Sequence, residues 1–384
     1  MSHASGASRP ARSTVAARDR RLDQLLRAWF ERDARDLPWR QSDPPHPDSA
    51  HASGRDPYVC FVAEAMLQQT QVSRVLEKLG PFIERFQSVR ALADADEDDV
   101  LALWSGLGYY RRARNLHAAA KQIVARHDAR VPSDAPSLRE LPGVGPYTAG
   151  AIASIVFGSR EPTVDGNIAR VLLRLEGREV EESPRAREAW AWARARELIR
   201  ATAEPGPFNE ALMELGALVC TPAAPRCEEC PLASRCVARA TGRQHAIPTP
   251  KPAVSRASKQ RVFHACVLVP DARGRLLVQQ RPAKGMWSRL WQPPTLERSD
   301  RPADAGEIAR ALHLATVERQ GAFIHETTHR RVCFEVWRGK PQTTRAKRNG
   351  RWLTREQISQ LALSNPHRAM LLSPPPRPPN APPR

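Results

Sequence analysis

Four cysteines carry the clearest chemical signal: Cys220, Cys227, Cys230 and Cys236 follow the spacing C-x6-C-x2-C-x5-C. Four thiolates on so short and irregular a segment can wrap an iron–sulfur cubane, one per iron. Structural zinc is the other reading, although zinc sites usually set two close pairs at a distance and this spacing is asymmetric. Cys60, Cys266 and Cys333 are scattered, so the cysteine pattern suits a metal site in a reducing compartment better than a disulfide framework. Among the acids, Glu64 lies in EAMLQQTQV beside an apolar helical stripe that includes Tyr58, Phe61, Val62, Ala65 and Met66. A carboxyl partly withdrawn from water has a raised pKa and can donate a proton near neutral pH; a surface ion pair is the plainer role. Asp165, in VDGNIARVL, precedes a helical stretch, where an aspartate ordinarily caps the helix. In LPGVGPYTAG, Gly143 and Gly145 stand between helical stretches. On their own they read as an ordinary glycine turn between two helices.

The elements around these residues fall into two regions. From Leu22 to about residue 200, apolar residues recur at three- and four-residue spacing, broken by Pro and Gly, so this part is expected to be mainly α. Within it QSDPPHPDSAHASGR, residues 41–55, is too polar to order itself and reads as a flexible loop, with a His-rich metal site as the sharper alternative. Residues 240–261 have the Pro, Ser and charge content of a linker. Beyond them VFHACVLVP, RLLVQQRP and VCFEVW read as strands and EIARALHLA as a short helix, which predicts a separate α+β domain over 262–368. Residues 1–20 read as a disordered basic tail and 369–384 as a Pro-rich tail.

The chain of 384 residues carries 59 Lys plus Arg against 41 Asp plus Glu, a formal net charge of +18. Such an excess suits a polyanionic partner, because each phosphate neutralised releases counterions; an Arg- and Ala-rich composition is the other source of it. No apolar run approaches the roughly 18 residues of a membrane span. The N-terminal MSHASGASRPARSTVAARDRR lacks the apolar core of a secretory signal. The expectation is a cytoplasmic, nucleoid-associated protein, with an organellar transit peptide as the alternative.

The cysteine spacing matches the iron–sulfur loop of the endonuclease III superfamily of helix-hairpin-helix DNA glycosylases, and LPGVGPYTAG resembles its hairpin. The resemblance implies a [4Fe–4S] cluster on Cys220, Cys227, Cys230 and Cys236, with Gly143 and Gly145 against the DNA backbone. It also implies an aspartate, here Asp165, that stabilises the cation developing on the sugar. Members that also cut the backbone carry a lysine where this chain has Tyr147, so the implied enzyme removes a base and leaves an abasic site. EAMLQQTQV resembles the EVMLQQTQV signature of MutY-type adenine DNA glycosylases, with Ala65 for Val. LPWR at 37–40, WSGLGYYRRARNL at 104–116 and FNEALMELGALVC at 208–220 extend the match over most of 22–240.

That family implies Glu64 as the acid protonating adenine N7, with Tyr147 and Asn167 orienting Asp165 and the sugar. Trp39, Arg40 and Glu210 would line the pocket of the flipped adenine, and Gln69, Thr70, Leu107 and Tyr109 would contact or intercalate beside the opposite base. Residues 262–368 resemble the family's Nudix-like, lesion-recognising domain, notably in GMWSRLWQPP at 285–294. The region EIARALHLATVER lacks the acidic Mg²⁺ box of working Nudix hydrolases, and Thr327-Thr328-His329 stands where the family has Phe-Ser-His. The implied partner is duplex DNA with adenine mispaired with 8-oxoguanine or guanine, bound by a monomer without a membrane. The competing readings are a bifunctional endonuclease III-like glycosylase/lyase, a thymine-mismatch glycosylase, and a non-catalytic DNA-binding protein.

Overall fold

A computed structural model describes residues 12–41, 53–178, 183–249, 259–342 and 350–372. Most of the 41–55 loop and the Pro-rich tail beyond residue 372 lie outside these. The chain divides into two compact units, one of Met1–Leu79, Phe86–Ala93 and Ala118–Pro252, the other of Gly80–Arg85, Asp94–His117 and Ala253–Arg384. Among the described residues, no helix is long and apolar enough to cross a membrane.

Helices occupy the region where apolar residues recur at helical spacing. They are α1 (Arg12–Asp33), α2 (Pro57–Leu67), α3 (Val72–Arg85), α4 (Val89–Ala93), α5 (Glu97–Leu103), α6 (Arg111–Arg126), α7 (Ala135–Arg139), α8 (Pro146–Ile155), α9 (Gly166–Leu175), α10 (Pro184–Ala201), α11 (Pro205–Leu218) and α12 (Val237–Ala240). Local chemistry sets their starts: Asp56, Asp134, Asp165 and Ser183 cap α2, α7, α9 and α10 with side-chain oxygens, and Pro57 and Pro146 open α2 and α8. In the first unit Leu22, Leu26 and Trp29 of α1 pack with Ile168 and Leu172 of α9, Leu198 of α10, and Phe208 and Leu215 of α11.

Residues 12–20 are therefore helix rather than tail. Two of the charges that make this segment read as solvated are paired: Asp19 is buried and takes Arg194 at 2.6 Å, and Arg18 reaches Glu176 at 2.9 Å. The linker is likewise shorter than its composition suggests. Ile247 is buried against Leu173 and Ala238, and its carbonyl accepts from Arg174 Nε at 2.7 Å, so the chain is still part of the first unit there.

The second unit holds two sheets. β1 (Gln260–Leu268), β4 (Thr295–Arg298), β5 (Leu314–Glu326) and β6 (Arg330–Pro341) lie in the order β4-β1-β6-β5, and β2 (Leu276–Gln280), β3 (Trp291–Gln292) and β7 (Gly350–Leu353) in the order β3-β2-β7. β1 pairs in parallel with β6, and the other pairings are antiparallel. Both faces of β1 are covered, one with Ile308 of α13 (Ala305–Leu312), the other beside Val332 and Phe334. That double burial is why the segment reads as a continuous apolar run. α14 (Arg355–Ser359) and α15 (Asn365–Leu372) complete this unit, carrying order past the expected boundary at 368. The helix expected over EIARALHLA stops at Leu312, where His313 takes a left-handed φ of 54° and the chain enters β5.

Two glycines of the first unit permit close backbone approach. A Cβ at Gly150 of α8 would lie 2.1 Å from the Pro162 carbonyl oxygen, and one at Gly216 of α11 would lie 2.9 Å from Asn167 Cβ. Both contacts hold the 162–167 segment in place. Gly150→Ala is expected to destabilise the fold by about 1–3 kcal/mol through overpacking, seen as a lowered midpoint of thermal unfolding; an unchanged midpoint would contradict the close approach.

Candidate active site

α2, α8, α9 and α11 of the first unit bring the sequence-marked residues together. Residues 58 and 60–66 of α2 are buried, so Glu64 is withdrawn from water along with the apolar stripe it belongs to. The turn before α8 contains Gly143 at φ +80°, a left-handed conformation that glycine adopts without strain, and Gly145 as N-cap with open space where a Cβ would stand. Tyr147 follows in the first turn of α8. Asp165 caps α9, accepting Asn167 N at 2.9 Å and Ile168 N at 2.7 Å on Oδ1, while Oδ2 accepts Asn167 Nδ2 at 3.0 Å.

A cavity of about 190 Å³ opens among these elements. Glu64, Tyr147, Asp165, Asn167, Trp39, Arg40, Thr70 and Glu210 all line it, as do Arg35, Arg55 and Glu214, which sequence reasoning missed. The signal for Glu214 was present: Glu210 and Glu214 are four apart on α11 and share a face. Arg55 borders the Pro- and Ser-rich loop, where charge reads as solvated.

Cations are shared unequally among the three glutamates. Glu214 accepts both Arg35 Nε at 2.7 Å and Arg40 Nη2 at 3.1 Å. Burial alone would raise its carboxyl, but the Arg35 and Arg40 bonds outweigh it and hold the group at about 2. Glu210 accepts Arg40 Nε at 3.1 Å on one oxygen and Arg55 Nη2 at 2.8 Å on the other. Glu64 forms no ion pair among the described residues. Burial, then the carboxylates of Glu210 and Asp165, push it up to about 7, with Arg40 acting the other way. The Tyr147 phenol is raised well above its usual value, first by burial and then by Glu64 and Asp165, so it remains a neutral hydroxyl.

A hydrogen-bonded chain runs from the cavity to the cysteine loop. Arg170 Nη2 donates to Asn167 Oδ1 at 3.1 Å and to Gly216 O at 2.8 Å, and its Nε donates to Cys220 O at 2.8 Å. The four cysteines line a second, small cavity of about 30 Å³. Among the described residues no three His, Cys, Asp or Glu side chains form a group that could hold a single metal ion. Burial and the neighbouring thiols of Cys220, Cys236 and Cys227 push Cys230 up to about 12, with a backbone bond at Leu232 acting the other way.

The remaining marked residues lie elsewhere. Gln69 is exposed at the left-handed turn after α2, φ 56°. In the second unit Leu107 is buried, whereas Tyr109 is 51% exposed in a left-handed conformation. Tyr109 Oη lies 3.1 Å from Thr328 Oγ1. Thr328 and His329 are exposed on the turn between β5 and β6, a turn that Thr327 closes by accepting Arg330 N at 3.0 Å.

Comparison with known proteins bears on this arrangement. The profile of the HhH-GPD superfamily base excision DNA repair proteins matches residues 62–197, and that of the NUDIX domain matches 265–373. Adenine DNA glycosylase of Homo sapiens is 33% identical over 393 residues, covering 88% of this chain and 71% of the human protein. The chain belongs to the adenine DNA glycosylases. The enzyme of Mycobacterium tuberculosis is 42% identical over 211 residues, spanning 55% of this chain and 65% of that protein. A solved thermostable thymine-DNA glycosylase superposes with a TM-score of 0.50 at 25% identity, covering 59% of this chain and 99% of the other. The protein is thus a DNA repair hydrolase that removes adenine, built from a helix-hairpin-helix glycosylase domain and a Nudix-like domain.

The position of Glu64 has a measurable consequence for stability. A carboxyl whose folded pKa of about 7 exceeds its unfolded value binds an extra proton in the native state. Stability therefore falls as pH rises from about 4.5 to 7. Glu64→Gln removes that loss and is expected to be the more stable protein at pH 8, by about 1–3 kcal/mol. Urea unfolding at pH 5 and pH 8 checks this; a variant no more stable than wild type at pH 8 would contradict the buried, raised carboxyl.

Proposed function

We propose that this adenine DNA glycosylase is monofunctional and acts on adenine opposite 8-oxoguanine, or guanine, in duplex DNA, leaving an abasic site. The observation that carries the mechanism is that Glu64, raised to about 7, and Asp165 line one cavity. Protonated Glu64 donates to N7 of the flipped adenine and turns a poor anionic leaving group into a neutral one. The bond between C1′ and N9 breaks towards an oxocarbenium ion, and the Asp165 carboxylate stabilises that cation until water adds at C1′. Asn167 Nδ2 and two backbone N–H groups orient Asp165, and Tyr147 lines the same space.

A lyase step needs an amine to attack the sugar. Tyr147 supplies none, and the described cavity lining contains no lysine, which favours the base-only reading over the bifunctional one.

Lesion reading is assigned to the second unit, through Tyr109, Thr328 and His329. The threonines at 327 and 328 keep a hydroxyl where the family has serine but lose its phenylalanine. Cys220, Cys227, Cys230 and Cys236 fit a [4Fe–4S] cluster: all four thiols line one small cavity, one for each iron. Bound there, the cluster would cross-link the loop that Arg170 ties to Asn167.

Single-turnover assays on duplexes with A:8-oxoG, A:G and A:C, with and without alkali, test this reading. Adenine release fastest from A:8-oxoG, with strand breaks only after alkali, is expected. Breaks without alkali would revive the lyase, and equal rates on all three would remove the lesion preference. Glu64→Gln is expected to abolish release while duplex binding persists; turnover at the wild-type rate would contradict the acid assignment.

A further inference from the structure

We propose that Arg55 is a positioning residue that fixes the Glu210 carboxylate as the acceptor for the exocyclic amine of adenine, and so sets the preference for a 6-amino purine. The inference rests on the reading above, in which the flipped base enters the cavity beside Glu64.

Glu210 is held at both oxygens, by Arg40 on Oε1 and by Arg55 on Oε2. The two arginines are not equivalent. Arg40 is over-determined, because it also donates to Glu214 Oε2 at 3.1 Å and to the Arg35 carbonyl at 3.0 Å. Arg55 side-chain bonding goes to Glu210, and its side chain is only 15% exposed. It immediately precedes Asp56, the cap of the helix that carries Glu64. With one bond on each oxygen the plane of the carboxylate is set, and each oxygen keeps a lone pair for a ligand.

A carboxylate can only accept, so the ligand group opposite Glu210 must be an N–H donor. A purine whose N7 receives a proton from Glu64 presents its 6-substituent on the same edge. Adenine offers an amine there, and guanine an O6 acceptor that the carboxylate would repel. A donor at Glu64 and a fixed acceptor at Glu210 thus read adenine's major-groove edge, and Arg55 fixes the second of the two. Without it, Arg40 alone leaves the carboxylate free to rotate about one bond.

The test compares single-turnover release of adenine and of unsubstituted purine, each opposite 8-oxoguanine, by wild type, Arg55→Gln and Arg55→Lys. Arg55→Gln is expected to slow adenine release by about tenfold or more, the loss of one charge-assisted bond. It should slow purine release by less than about threefold, because purine lacks the amine. Arg55→Lys, which keeps the charge, should recover most of the difference. Parallel loss on both bases would mark a merely structural role and overturn the proposal, as would no loss on either. Should Arg55→Gln fail to fold, Arg55→Met, which keeps the length of the stem but not the charge, carries the same comparison, with a lowered adenine-to-purine ratio expected and an unchanged ratio overturning the inference. Wild-type protein that releases neither base would sink the underlying reading instead, before any variant is compared.

Discussion

Three glutamates share one cavity with three arginines, and the arginines are committed to two of them. Glu214 is held at about 2 by its guanidinium partners, and Glu210 is bonded on both oxygens, whereas Glu64 is left to burial and to the field of neighbouring carboxylates. A single helix, α11, supplies the two clamped acids from one face, so the cations cannot be redistributed without moving that helix. The arrangement stores unfavourable free energy in an uncompensated buried acid, and that acid gains a proton to give away at neutral pH.

The rest of the first unit serves to hold the second carboxylate where that proton transfer can be used. Asp165 is both a helix cap and a cavity residue, and its N-cap bonds leave one oxygen to Asn167. Missing side chains at Gly150 and Gly216 let backbone approach the 162–167 segment from two sides. Arg170 ties Asn167 to the carbonyl of Cys220, so the loop of four cysteines and the catalytic segment share one hydrogen-bonded chain. Local order in the cysteine loop is thereby linked to the geometry of Asp165.

Much of this was legible in the sequence because it is local. The helical stripe around Glu64, the cap at Asp165, the glycine turn before Tyr147 and the cysteine spacing each announce themselves over a dozen residues or fewer. What was not legible depends on partners far away in the chain. Asp19 and Arg194 are 175 residues apart, and without that pairing the start of α1 reads as a tail. Arg35 and Arg55 look like solvated charge until Glu214 and Glu210 are brought beside them. β5 was hidden for a different reason: its residues are mostly exposed and do not alternate, so no period of two marks it.

Release of adenine by this site depends on the protonation state of one side chain. Infrared difference spectroscopy across a pH titration, with Glu64→Gln as the blank, would read that carboxyl directly through its C=O stretch. The protonated band assigned to Glu64 is expected to persist above pH 6 and to disappear around pH 7. A band lost near pH 4.5, as for a carboxyl in water, would contradict the division of charge from which the mechanism is derived.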